Sequence, residues 1–154
     1  MNVSLSDSIR FIGFLDIVLY HPPTNRYKIL DIKTSTMGWN KYQKKDKSKT
    51  AQLLLYKKYF SEQRGLDINN IDIEYFIVKR RLYEKADFPQ KRIQSFIPAN
   101  GSVSVNRAVQ SMTEFVAKGF DSQGNHIAEQ TATPSKKSCR FCEFKNTEHC
   151  TEGV

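Results

Sequence analysis

Two apolar, β-branched runs joined by a turn constrain the fold more than any other feature of the chain. The first lies within Ile9 to Leu19 and the second is Tyr27 to Lys33, with His21-Pro22-Pro23-Thr24-Asn25 between them. Two prolines break any ladder and an asparagine permits reversal, so the runs are expected to pair antiparallel. Each run carries one acid, Asp16 and Asp31, where packing alone favours a hydrophobe. A carboxylate in an apolar strand is costly without a partner, and this register can bring the two together at one end of the sheet. Paired acids in adjacent strands point to a site.

The rest of the chain builds around that hairpin. Asn2 to Leu5 reads as a short extended segment. Thr34 to Lys49 lacks a steady period and reads as a loop, with a helical turn near Trp39 to Gln43. The loop interleaves Lys41, Lys44, Lys45, Lys47 and Lys49 with Trp39 and Tyr42, a pattern suited to a phosphate backbone and exposed bases. A lysine run by itself is more often a solvated face, and it is the position directly after the acids that favours the functional reading. Thr50 to Glu62 turns helical, with Gly65 as its stop, and Ile71 to Lys79 reads as a strand. A helix between two strands argues for a parallel crossover. Arg92 to Ile97 is expected as a further strand. Val105, Ala108, Val109, Met112, Phe115 and Val116 fall at helical spacing, with Ser102 or Ser104 as N-cap, and form a core stripe. The expected class is α/β, a mixed central sheet flanked by helices.

Charge narrows the partner. The chain has 24 Lys+Arg against 16 Asp+Glu, net +8, which favours a polyanion such as nucleic acid or an acidic membrane surface. No apolar run approaches the roughly 18 residues of a membrane span and no secretory leader is evident, so a soluble, cytoplasmic protein is expected. Three cysteines crowded at 139, 142 and 150 argue against a disulfide framework and for thiol ligands in a reducing compartment.

Asp16, Asp31 and Lys33 carry the chemistry. Two carboxylates and a backbone carbonyl, which Ile32 can supply, suit a hard divalent cation, Mg²⁺ or Mn²⁺. Such an ion polarises a phosphodiester and acidifies water, while a lysine orients that water or neutralises developing charge. A lone D-x-K is weak evidence, and the plain alternative is a solvent-facing acid and a strand-end lysine.

Gly13-x-x-Asp16, then Asp31-x-Lys33 fifteen positions after the first acid, then Gln52-x-x-x-Tyr56 on the next helix, together resemble the RecB-type branch of the PD-(D/E)XK nuclease superfamily. The resemblance spans Ile9 to Tyr56 by motif and reaches Val78 by element order. It implies a restriction-endonuclease-like fold, Asp16 and Asp31 as metal ligands, Lys33 as the catalytic lysine, and Gln52 with Tyr56 holding the DNA strand. Helix geometry agrees with the last, since residues four apart project together. The branch includes recombination helicase-nucleases, CRISPR adaptation nucleases and phage exonucleases. The implied activity is therefore metal-dependent DNA hydrolysis, as an exonuclease on single strands or free ends, with a helicase or recombination partner in prospect. Members carry a further helix and ligand ahead of the first strand, so a minimal or truncated core is expected.

The tail Cys139-x-x-Cys142 with Cys150 resembles the C-terminal half of the iron-sulfur staple found in part of that branch, where a fourth cysteine completes a 4Fe-4S cluster. No cysteine precedes position 139. Three arrangements stay open: a fourth ligand outside this chain, a Cys3His zinc site completed by His149 or His126, or free thiols. The expected division is a nuclease core over 1–133 and a cysteine-containing tail over 134–154. Two other functions compete, a non-catalytic DNA-binding module of the same fold and a metal-tail protein with an RNA or protein partner.

Overall fold

The computed structural model describes residues 1–83, 85–127 and 134–154. The hairpin forms as β3 (Ile17–His21) against β4 (Arg26–Ser35), antiparallel, with Ile17 opposite Leu30 and His21 opposite Arg26. A single 3₁₀ turn over Pro22–Thr24 reverses the chain, and Asn25 takes the left-handed conformation at φ 48° that asparagine tolerates. The first strand is not continuous as expected. It splits into β2 (Arg10–Ile12) and β3, and β2 pairs instead with β1 (Asn2–Ser4) in a separate two-stranded sheet. The cause sits at Gly13, where the backbone passes too close to a helical tyrosine, described below, for a side chain to fit.

The second half of the segment expected as a loop is helical. α1 (Lys41–Lys45) begins at a capping box in which Asn40 Oδ1 accepts from the Tyr42 and Gln43 amides while Gln43 Oε1 accepts from Asn40 N–H. Asp46 then caps α2 (Lys47–Arg64), accepting from Ser48 N–H, so the helix begins three residues before Thr50. Gly65 closes it at φ 60°, as the sequence predicts. The chain continues into β5 (Ile71–Lys79), parallel to β4, then β6 (Ile93–Phe96), antiparallel to β5. The sheet order is β3-β4-β5-β6, mixed as expected. α3 (Ser102–Gly119) follows, with Gly101 and not a serine at its N-cap.

Strand alternation assigns the faces. Ile29, Ile71, Ile73, Tyr75 and Ile77 point to one side and are fully or almost fully buried, together with Leu53 of α2 and Val105 of α3. α2 packs on β4 and β5 and also on α3, and Phe11 of β2 closes its remaining side against Tyr56 and Tyr59. A helix covered on three sides reads as apolar nearly all round, which explains the run Leu53-Leu54-Leu55-Tyr56. The opposite sheet face carries a polar ladder, Arg26 bidentate on Asp72 and Lys28 on Glu74, beside the more exposed Leu19 and Ile32. No helix among the described residues is long and apolar enough to cross a membrane. The division expected after residue 133 lies outside the described residues.

Candidate active site

Asp31 and Lys33 alternate with Ile32 along β4, so both project to the face that α2 covers. Asp31 is only 3% exposed. Lys33 Nζ sits 2.8 Å from Asp31 Oδ2 and donates to Gln52 Oε1 at 2.8 Å. The contact with Asp31 is an ion pair without hydrogen-bond geometry, which leaves buried Oδ2 with no hydrogen-bond partner. Burial pushes the Asp31 carboxyl above the usual carboxylate range; Lys33 pulls it back down and the nearby charge of Asp16 pushes it further up. A carboxylate held this way favours either a proton or a cation.

Asp16 stands in the break between β2 and β3, exposed, where Oδ2 accepts from Ile32 N–H at 2.7 Å. An extended residue directs its N–H and C=O to the same strand edge, so the Ile32 carbonyl emerges beside Asp16 as well. The two acids, the lysine and that carbonyl thus gather at one end of the β3–β4 pair. Among the described residues no group of three His, Cys, Asp or Glu side chains gathers anywhere, so the site offers two carboxylates.

Gln52 and Tyr56 share a face of α2, with Gln52 Nε2 donating to Tyr56 Oη at 2.9 Å. A continuous chain Tyr56–Gln52–Lys33–Asp31 results. Tyr56 is 6% exposed and its hydroxyl accepts from Gln52, so it positions Gln52 from beneath. Here Gly13 acquires a reason: a Cβ at that position would lie 2.5 Å from Tyr56 Cε1. We expect Gly13→Ala to push the Tyr56 ring aside, to cost about 1–3 kcal/mol in chemical denaturation as overpacking does, and to lower any site activity through Gln52 and Lys33. Wild-type activity in a Gly13→Ala protein would remove Tyr56 from the site.

Trp39 requires a correction. Its ring is not open to a base: it is 8% exposed and packs on Tyr75 at 5.0 Å and Phe96 at 6.0 Å. The aromatic run reads the same in sequence whether a ring faces water or core. Gln94 of β6 holds the residue in place, accepting from Trp39 N–H at 2.7 Å and donating to its carbonyl at 3.1 Å. Lys49 and Lys44 instead lean over the Trp39 and Phe96 rings. Lys41 and Lys45 are exposed, Lys41 over the exposed ring of Tyr42. A cavity of about 260 Å³ opens between Lys33, Trp39, Ser48, Lys49 and Gln52. Ser48 and Gln94 carried no sequence signal, because only tertiary packing brings them here.

The three cysteines of the tail form no disulfide. Cys139 is buried in the tail, Cys142 is exposed and Cys150 intermediate, and neither they nor His149 or His126 belong to a group able to hold a metal ion among the described residues. His149 packs edge-on to Phe144 and His126 to Phe120.

A sequence model of the PD-(D/E)XK nuclease superfamily matches residues 1–147. The chain belongs to this superfamily. Its strand-strand-helix order and mixed sheet agree with the restriction-endonuclease-like fold. No curated protein and no solved structure matches the chain significantly.

Proposed function

We propose that this superfamily member is a Mg²⁺- or Mn²⁺-dependent deoxyribonuclease, acting at DNA ends in the manner of the RecB-type branch. The observation that carries the reading is the buried Asp31 carboxylate, with an oxygen left without a hydrogen bond, ion-paired to Lys33 and within electrostatic reach of Asp16. That donor set fits a hard cation, for an ion satisfies the orphaned oxygen and outweighs the mutual repulsion of two acids. Asp16, Asp31 and the Ile32 carbonyl would hold it. When bound, the ion polarises the phosphodiester and makes water a better nucleophile.

The chain's own residues do the rest. An ammonium has three donors, and Lys33 spends one on Gln52 while its charge faces Asp31. A further donor remains for a phosphate oxygen or the attacking water, where fixed positive charge stabilises the charge that develops in the transition state. Gln52, anchored by Tyr56, prevents the lysine from swinging away. Lys49 supplies a phosphate contact at the cleft wall, and exposed Lys41 a further one on the same basic segment.

End-labelled linear DNA incubated with the protein should shorten only when Mn²⁺ or Mg²⁺ is added, while circular DNA stays closed. Equal cutting of circles would replace end-dependence with internal cleavage. Salt-sensitive binding without scission in either metal would leave a DNA-binding module, a reading favoured by the lack of a third acidic or histidine ligand among the described residues.

A further inference from the structure

α2 divides two concavities. Ser48, Lys49 and Gln52 face the catalytic cleft, whereas Lys47, Ala51 and Leu54 lie on the opposite flank of the same 3.6-residue helix. There a groove of about 350 Å³ opens between α1, α2 and α3. Its walls bring together four cations from three elements, Lys44 and Lys45 of α1, Lys47 of α2 and Arg107 of α3, with the Ser104 hydroxyl among them. None of the four is paired with a carboxylate among the described residues, and no acid lines the groove. Its floor is apolar, formed by Leu54, Pro98 and Ala108.

We propose that this groove is a second DNA site, which takes a nucleotide of the bound strand away from the scissile position. A solvated lysine face spreads its charges apart; here charges from three separate elements converge on a concavity, where the field is focused. The apolar floor suits a sugar or base, the cations suit the flanking phosphates, and the volume is that of a small-ligand pocket. Arg107 provides the planar fork for a phosphate and the lysines provide point charges. The proposal rests on DNA being the ligand of the protein, but not on DNA being cut.

The test is binding of an end-labelled oligothymidylate, followed by anisotropy across a salt series in the Asp31→Asn full-length protein, so that cleavage plays no part. Lys47→Ala/Arg107→Ala should weaken binding about tenfold and reduce the salt slope by about 1.4, two contacts at about 0.7 each for single strands. The charge-preserving pair Lys47→Arg/Arg107→Lys should keep the slope. Lys118→Ala/Lys136→Ala removes the same net charge from exposed positions outside the groove and should leave both readouts unchanged. Equal losses in the two alanine pairs, or no change in the first, would overturn the groove, as would heparin binding with the same Arg107 dependence. Binding that depends on Arg107 in a wild-type chain that does not cut leaves the groove and removes the nuclease. Cutting with binding indifferent to Arg107 does the reverse.

Discussion

Asp31→Asn should abolish DNA cleavage, by at least about 10³-fold, and at the same time raise the melting temperature at neutral pH. The two effects have one cause. Asp31 is almost completely buried, has an oxygen with no hydrogen bond, and lies where Asp16 repels it. Its native pKa is raised above the ordinary value, chiefly by burial, with Lys33 only partly countering. For an acid the sign follows directly: below the unfolded-state pKa both states are protonated and nothing is lost. As pH rises from there through the raised native value, the folded state loses stability relative to the unfolded one. At neutral pH the charged carboxylate is therefore a net cost, and a neutral amide of the same shape relieves it. A gain of about 1 kcal/mol is expected, worth roughly 2–4 °C in a chain of this size. Divalent metal should shift the melting temperature of the wild type upward and leave Asp31→Asn unmoved, because binding to the native state alone stabilises it. A variant that melts lower than wild type, with no metal-dependent shift in either, would make Asp31 a structural ion-pair partner.

The parts of this arrangement that sequence makes legible are those set by local rules. Proline-rich turn chemistry at His21 to Asn25 specified the β3–β4 hairpin, and Asp31 and Lys33, two residues apart on a strand, had to share a face. Gly65 had to end α2, and a helix between strands had to produce a parallel pair. What escaped depended on partners far along the chain. The break after Ile12 follows from the approach of Gly13 to Tyr56, forty-three positions later. Trp39 is buried because Gln94, fifty-five positions away, holds its backbone and because Tyr75 and Phe96 form its bed. A basic, aromatic stretch carries no mark of which ring turns inward. The early start of α2 is different, since Asp46 before Ser48 is a readable cap that the lysine-rich composition obscured.

Removing the lysine instead of the acid should push stability the other way. In Lys33→Met the cation that lies 2.8 Å from Asp31 Oδ2 is gone and the buried carboxylate loses its only ion-pair partner among the described residues. Breaking a fully buried pair costs about 3–5 kcal/mol. The Lys33 side chain is 34% exposed, so solvent screens part of the interaction and about 2 kcal/mol is the expected loss in urea denaturation. Gln52 also loses its donor, and cleavage should fall about 10³-fold. Asp31→Asn/Lys33→Met should recover most of the stability and none of the activity, because a methionine beside a neutral amide leaves no stranded charge. The destabilisation of the single variant should shrink as pH falls, since protonation of Asp31 removes the charge that Lys33 had countered. Additive stability effects, unchanged at low pH, would mean that the two side chains do not act on each other. The link between the buried acid, its ammonium partner and a cation site would then be broken, even with the fold intact.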